Sequence, residues 1–196
     1  MSTGLEFRFD GGATWLDLLA TRGRTFGARP VERLTSPTRL AEWLARCQLA
    51  PDQPPSAVDV RRATELRETL RSLALAAVSG APAPAAAVAD AARWAAGASQ
   101  LRLVGGQLRR EPPVSTDEAL ARIARQALEQ LTGAERDQLV SCAEQDCRWV
   151  FLDPTNRRRW CPSPACASRG RVRALRARRK AATPAPPPHP PTPAPP

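Results

Sequence analysis

Two cysteine pairs constrain this chain more than anything else in it. Cys142 and Cys147 enclose four residues, Cys161 and Cys166 enclose four more, and thirteen residues separate the pairs. Four thiolates so spaced can close a tetrahedral shell around one Zn²⁺. They leave no open position for water or substrate, so the expected ion is structural rather than catalytic. The segment 142–180 is too short to bury a self-sufficient core. Metal coordination can supply the folding free energy that it lacks. The start of the chain, Met1-Ser-Thr-Gly-Leu-Glu-Phe7, has neither a basic stretch nor an apolar core segment, and no apolar run is long enough to span a bilayer. A cytoplasmic address follows as the expectation, and there thiols stay reduced.

Charge is concentrated in the same place. The chain of 196 residues carries a net charge of +10, and Lys180 is its one lysine. Abundant Arg, Ala and Pro suit a GC-rich coding bias, so total charge alone says little. Its distribution says more. Residues 142–180 hold eleven basic side chains against Glu144, Asp146 and Asp153, which places +8 of the +10 on a fifth of the chain. Zinc with four thiolates lowers that to about +6. The basic residues are Arg148, Arg157, Arg158, Arg159, Arg169, Arg171, Arg173, Arg176, Arg178, Arg179 and Lys180. Arginine's planar fork contacts phosphate or guanine bidentately. All of these except Arg148 are the candidate nucleic-acid contacts. A helix is expected over Ser168–Lys180, with Val172 and Leu175 turned toward the metal. Trp149 to Leu152 and Trp160 read as two short strands around the turn Asp153–Asn156.

Upstream, the pattern is α+β and mainly helical, with a small antiparallel sheet. Leu5, Phe7 and Phe9 alternate with polar residues as a half-buried strand would. Ala13–Ala20 reads as a short helix, followed by a loop or extended segment over 21–34 whose Arg22, Arg24, Arg29 and Arg33 read as solvated surface. Ser36-Pro37 starts a helix with Leu40, Trp43, Leu44 and Cys47 on one face. Cys47 on that face is a core thiol. Ser56 and Asp59 cap a long helix that ends near Ser79. An alanine-rich helix over 84–96 is expected to pack inside through Val88, Ala92 and Trp94. Alternating leucines around Gly105-Gly106 predict a β-hairpin over 101–110. Ser115 to Glu118 has the form of a capping box ahead of a strongly amphipathic helix, and a short helix then delivers Leu139, Val140 and Cys142. The sole histidine, His189, lies in a tail with nine prolines in the fourteen residues from Thr183. That composition predicts disorder over 181–196 and excludes a histidine-based catalytic site. No phosphate-binding glycine loop is present, and the chain is not expected to be an enzyme.

The C-terminal residues resemble a known family. Cys142-x₄-Cys147-Arg-Trp-Val-Phe-Leu-Asp153 and then Asn156-Arg-Arg-Arg-Trp-Cys161-x₄-Cys166 look like the CGNR zinc finger, whose four zinc cysteines map onto Cys142, Cys147, Cys161 and Cys166. The box that names it reads Cys166-Ala-Ser-Arg169 here, with its glycine and asparagine replaced. Ser168 could cap the basic helix in place of the asparagine. Leu16-Asp17-Leu-Leu-Ala-Thr21, Pro30–Leu34 and Leu40–Leu44 resemble the ABATE domain that precedes this finger.

The resemblance implies a stress-related bacterial transcription regulator. The expected organisation is an ABATE-like ligand or interaction domain over 1–135, a CGNR-type finger with a basic helix over 136–180, and the tail. The expected partners are DNA and a small-molecule or protein effector on the N-terminal domain, with no membrane and a possible homodimer, on the nucleoid. A zinc-stapled protein–protein adaptor and an RNA-binding protein are the alternatives.

Overall fold

The computed structural model describes residues 5–96, 101–104 and 107–182. The Gly105-Gly106 turn, the tail from Thr183 and His189 lie outside the described residues. The elements run α1 (Thr14–Ala20), β1 (Arg22–Gly23), β2 (Val31–Glu32), α2 (Pro37–Arg46), α3 (Ala57–Ser79), α4 (Ala85–Trp94), β3 (Leu101–Val104), β4 (Gln107–Arg110) and α5 (Thr116–Thr132). A 3₁₀ turn (Ala134–Gln138), β5 (Leu139–Ser141), β6 (Val150–Leu152) and α6 (Pro164–Ala182) complete them. The strands pair into three antiparallel ribbons, β1–β2, β3–β4 and β5–β6. The chain is thus mainly helical α+β with small antiparallel sheets and a C-terminal cysteine cluster.

Local chemistry sets the helix ends. Ser36 Oγ accepts from Arg39 N, with Pro37 in the first turn. Ser56 and Asp59 form a reciprocal capping box, and Gly80 closes α3 at φ 67°, where a Cβ would be strained. Ser115 Oγ accepts from Glu118 N at 3.3 Å, yet the Glu118 carboxylate accepts from Val114 N at 2.9 Å and not from Ser115. The expected box is therefore only half formed.

α1 is the centre of the core. Trp15, Leu16, Leu18 and Leu19 are essentially inaccessible, and the helix packs on α3, α5 and β6. α3 is the spine, touching α1, α2, α4, α5, β5 and β6. One cluster of buried apolar residues runs from Phe7 through α1, α2, α3 and α5 into Trp149, Val150 and Phe151.

The structure corrects several expectations. Residues 5–9 form no strand. A strand needs a partner edge, and here guanidinium groups take the carbonyls instead. Arg39 Nη2 donates to Leu5 O at 2.6 Å and Arg33 Nε to Glu6 O at 2.8 Å. Phe7 is buried while Leu5 stays exposed. Arg33 is thus engaged rather than solvated, and it also donates to Ala20 O at 3.1 Å. α4 buries Ala87 and Ala91, whereas Val88 and Ala92 face outward. A 3₁₀ turn and then strand β5 stand where a short helix was expected before Cys142. β6 pairs with β5, Leu139 opposite Leu152, and not with the Trp160 segment.

Arginine also enters the interior. Arg67 is 2% exposed and grips both Glu32 carboxylate oxygens, at 2.8 and 2.7 Å, and Thr21 Oγ1 at 2.9 Å. This bidentate pair ties the β1–β2 ribbon to α3. Between α3, α4 and α5 an open groove of about 1170 Å³ is lined by Arg62, Arg67, Glu68, Trp94 and Asp117, among others.

Candidate metal centre

The β5–β6 ribbon delivers the first cysteine pair. Cys142 follows β5 directly, and its N–H donates to Trp149 O at 2.9 Å. Glu144 O accepts from Cys147 N and Arg148 N at 2.9 and 3.0 Å, which folds 142–148 into a tight knuckle. Arg148 leaves it at φ 46°. Ala143 N donates to Arg159 O at 3.0 Å and so brings the second pair alongside. The turn between the pairs is organised by buried Asp153. Its carboxylate accepts from Thr155 Oγ1 at 2.7 Å and from Arg157 N and Arg158 N at 2.8 and 2.7 Å. These bonds hold its carboxyl below the usual carboxylate range, the Arg158 N–H foremost. α6 begins at Pro164, so Cys166 lies in its first turn.

The four sulfurs of Cys142, Cys147, Cys161 and Cys166 lie within 4.8 Å of one another. Tetrahedral Zn–S bonds of about 2.3 Å require S···S separations of roughly 3.8 Å, so the donor set fits one zinc ion with all four positions filled by protein. Cys142, Cys161 and Cys166 are buried and Cys147 half-buried. Crowding sets their acidity. Hydrogen bonds from Cys142, Cys147 and Cys166, and then from Arg8, drive the Cys161 thiol far below its ordinary range. Cys147 is pushed up, first by Cys142. Four sulfurs this close cannot all be thiolates unless a cation sits among them. Two guanidinium groups complement the resulting negative charge: Arg169 Nη2 lies 3.3 Å from Cys166 Sγ and Arg8 Nη1 lies 3.6 Å from Cys161 Sγ. Cys47 is apart from this group; it caps α2, half-buried against the core, and burial pushes its thiol up to about 12.

The centre is built into the N-terminal fold. Trp149 is buried, and its Nε1 donates to Leu16 O at 2.8 Å. The Arg8 guanidinium lies 4.2 Å over its ring. Leu152 N donates to Gly11 O at 2.9 Å. A Cβ on Gly11 would come within 2.9 Å of Trp149 and 2.8 Å of Asp17 Oδ1, so only glycine permits this approach. Asp17 accepts from Gly11 N at 2.8 Å. Burial raises its carboxyl to about 7, against the Gly11 hydrogen bond.

Two family models match the chain, in order. The ABATE model, described as "Putative stress-induced transcription regulator", matches residues 12–134. The chain belongs to the ABATE family. The CGNR zinc-finger model matches residues 138–179, which contain all four cysteines. Among curated proteins, none matches the chain.

The replaced CGNR box falls at Ala167-Ser168, inside α6. Ser168 therefore caps nothing; the helix starts four residues earlier, at a proline suited to a first turn. The finger's arginines divide into two groups. Arg173 pairs with Glu144 at 3.1 Å and Asp146 at 3.0 Å, and Arg169 approaches Glu144 at 3.9 Å. Glu144 is 1% exposed, so these two arginines fasten α6 to the first knuckle. Their positions, with Cys166, make the inward face of α6. Val172 and Leu175 are consequently 44% and 49% exposed, not turned toward the metal as expected. Arg157, Arg158, Arg159, Arg171, Arg176, Arg178 and Arg179 are exposed. Among the described residues no carboxylate pairs with Arg157, Arg158, Arg171, Arg176 or Arg178. Lys180 belongs to α6, and its side chain lies outside the described residues.

The ABATE domain also reaches the finger through the loop between β1 and β2. Phe26 N donates to Asp146 O at 3.1 Å, and Arg148 lies 4.9 Å over the exposed Phe26 ring. Arg24 and Arg29 on this loop are exposed. Arg8, Phe26 and the buried Glu144 join the centre through contacts that span up to 153 positions, and no local pattern in the sequence signals them.

Proposed function

We propose that this ABATE-family chain is a zinc-built transcription regulator that binds duplex DNA through α6 and the turn before Cys161. The observation that carries the reading is the division of the finger's arginines. Arg169 and Arg173 are taken up by Glu144 and by Asp146, whereas Arg157, Arg158, Arg171, Arg176 and Arg178 are exposed and, among the described residues, have no carboxylate partner. Exposed guanidinium groups on a helix and turn joined at the metal centre suit phosphate contact, with release of counterions. Arg159 and Arg179 are exposed on the same segment, Lys180 follows them in α6, and Arg24, Arg29 and Arg148 prolong the basic surface toward the ABATE domain. Arg169 and Arg173 serve by holding the helix in place.

The groove between α3, α4 and α5 is the proposed effector site. Its mixture of guanidinium, carboxylate and indole suits a polar small molecule or a peptide end. The chain acts as a binding protein and not an enzyme, in the cytoplasm and on the nucleoid. A single short finger reads few base pairs, so pairing of two copies through the ABATE domain would supply a second half-site. No described helix is long and apolar enough to cross a membrane.

The test is binding of zinc-loaded protein to labelled duplex DNA by anisotropy at several salt concentrations. Affinity falls steeply with salt if the reading holds. Zinc-loaded protein that ignores duplex DNA at low salt, or that prefers RNA of equal length, overturns it.

A further inference from the structure

The finger carries a cleft that its packing does not account for. It lies between Trp160 and α6, with a volume of about 330 Å³. Trp160, Gly170 and Leu175 form its apolar walls, and Arg159, Arg171 and Arg178 stand around it. No carboxylate lines it among the described residues.

Gly170 keeps the cleft in its present form. A Cβ there would lie 2.5 Å from Trp160 Nε1 and 2.9 Å from Cε2. The indole edge therefore rests against bare backbone, and the ring remains half-buried beside the helix. The Arg159 guanidinium lies 5.2 Å from the ring centroid. Leu175, 49% exposed, stands in water on the helical wall.

The lining restricts the occupant. A second copy of the finger would bring Arg159, Arg171 and Arg178 against their own kind. An apolar peptide would leave three guanidinium groups unanswered. The lining calls for a flat apolar group attached to negative charge, and a nucleotide joins the two in one unit. We infer that the cleft takes one unstacked base of a DNA strand, held between Trp160 and Leu175, with the flanking phosphates on Arg171 and Arg178. This deepens the DNA-binding reading and rests on it. A base inside an intact duplex cannot enter without first leaving the stack, so the finger favours DNA in which a base is already unpaired.

The experiment compares two labelled duplexes that differ by a single unpaired base, titrated with the zinc-loaded full chain at low salt. The unpaired base is expected to tighten binding at least about fivefold, the lower end of what stacking on an aromatic side chain allows. Trp160→Ala and, separately, Leu175→Ser are expected to abolish most of that ratio. Leu175 is half exposed, so its substitution leaves the fold intact even if that of Trp160 does not. Equal affinity of the native chain for the two duplexes, or a ratio that survives Leu175→Ser, overturns the cleft assignment and leaves duplex binding standing. Failure to bind either duplex overturns the DNA reading itself, and this inference with it.

Discussion

Arg8 meets three groups at once: the Trp149 ring, the Asp10 carboxylate and the Cys161 sulfur. It thereby joins the first residues of the chain to the metal centre. Cys161 is one of the four clustered sulfurs, so Cys161→Ser should leave the shell one ligand short. Zinc content is expected to fall from about one per chain to near zero by atomic absorption. Asp17 gives a second prediction at this scale. Its folded carboxyl titrates at about 7 against an ordinary 3.8. Between those values the folded chain holds a proton that the unfolded chain has lost, so this group's contribution weakens as pH rises toward 7 and is least favourable above it. Asp17→Asn keeps an acceptor for Gly11 N and removes the charge. It should therefore gain on the order of 1 to 3 kcal/mol relative to the native chain at pH 8, and little at pH 4, in urea unfolding.

α6 belongs to two environments, and its substitutions should separate accordingly. Arg171, Arg176 and Arg178 replaced together by Gln should lower the salt slope of duplex binding by roughly 2 to 3, near 0.9 for each lost phosphate contact, with zinc content unchanged. Arg173→Ala should act differently. It leaves the buried Glu144 carboxylate without its nearest cation, at a cost on the order of 3 kcal/mol, and Glu144→Gln in the same chain should recover much of it in thermal unfolding. Legibility in the sequence also varied by element. The caps at Ser36 and Ser56 could be read because a cap is a matter of four consecutive residues. The cysteine cluster could be read because metal chemistry restricts spacing. The buried side of α4 could not, since alanine on every face leaves nothing to distinguish one side from another. Nor could the partner of β6, because strand pairing is non-local. The outward turn of Val172 and Leu175 depends on Glu144 and Asp146, two residues on a different element.

At the scale of the molecule, the ABATE domain and the CGNR finger share one core. Trp149, Val150 and Phe151 are continuous with the residues of α1 and α3. A finger hung on a linker would unfold alone when its zinc is removed. Here chelation should destabilise the helical domain as well, lowering the melting midpoint of the far-ultraviolet circular dichroism signal by roughly 10 °C or more in a single transition. Two separated transitions, the helical one unmoved by chelator, would contradict this.

The hydrogen bond from Trp149 to Leu16 O spans 133 positions, and this has a consequence for synthesis in the cell. α1 leaves the ribosome early, but the side chains that seal it arrive only near the end of translation. The nascent chain must therefore wait, with Leu16 incompletely covered, until residues 139–166 emerge and find an ion. Metal supply would then govern how much mature protein escapes proteolysis, and zinc-starved cells should hold less of it at an unchanged messenger level.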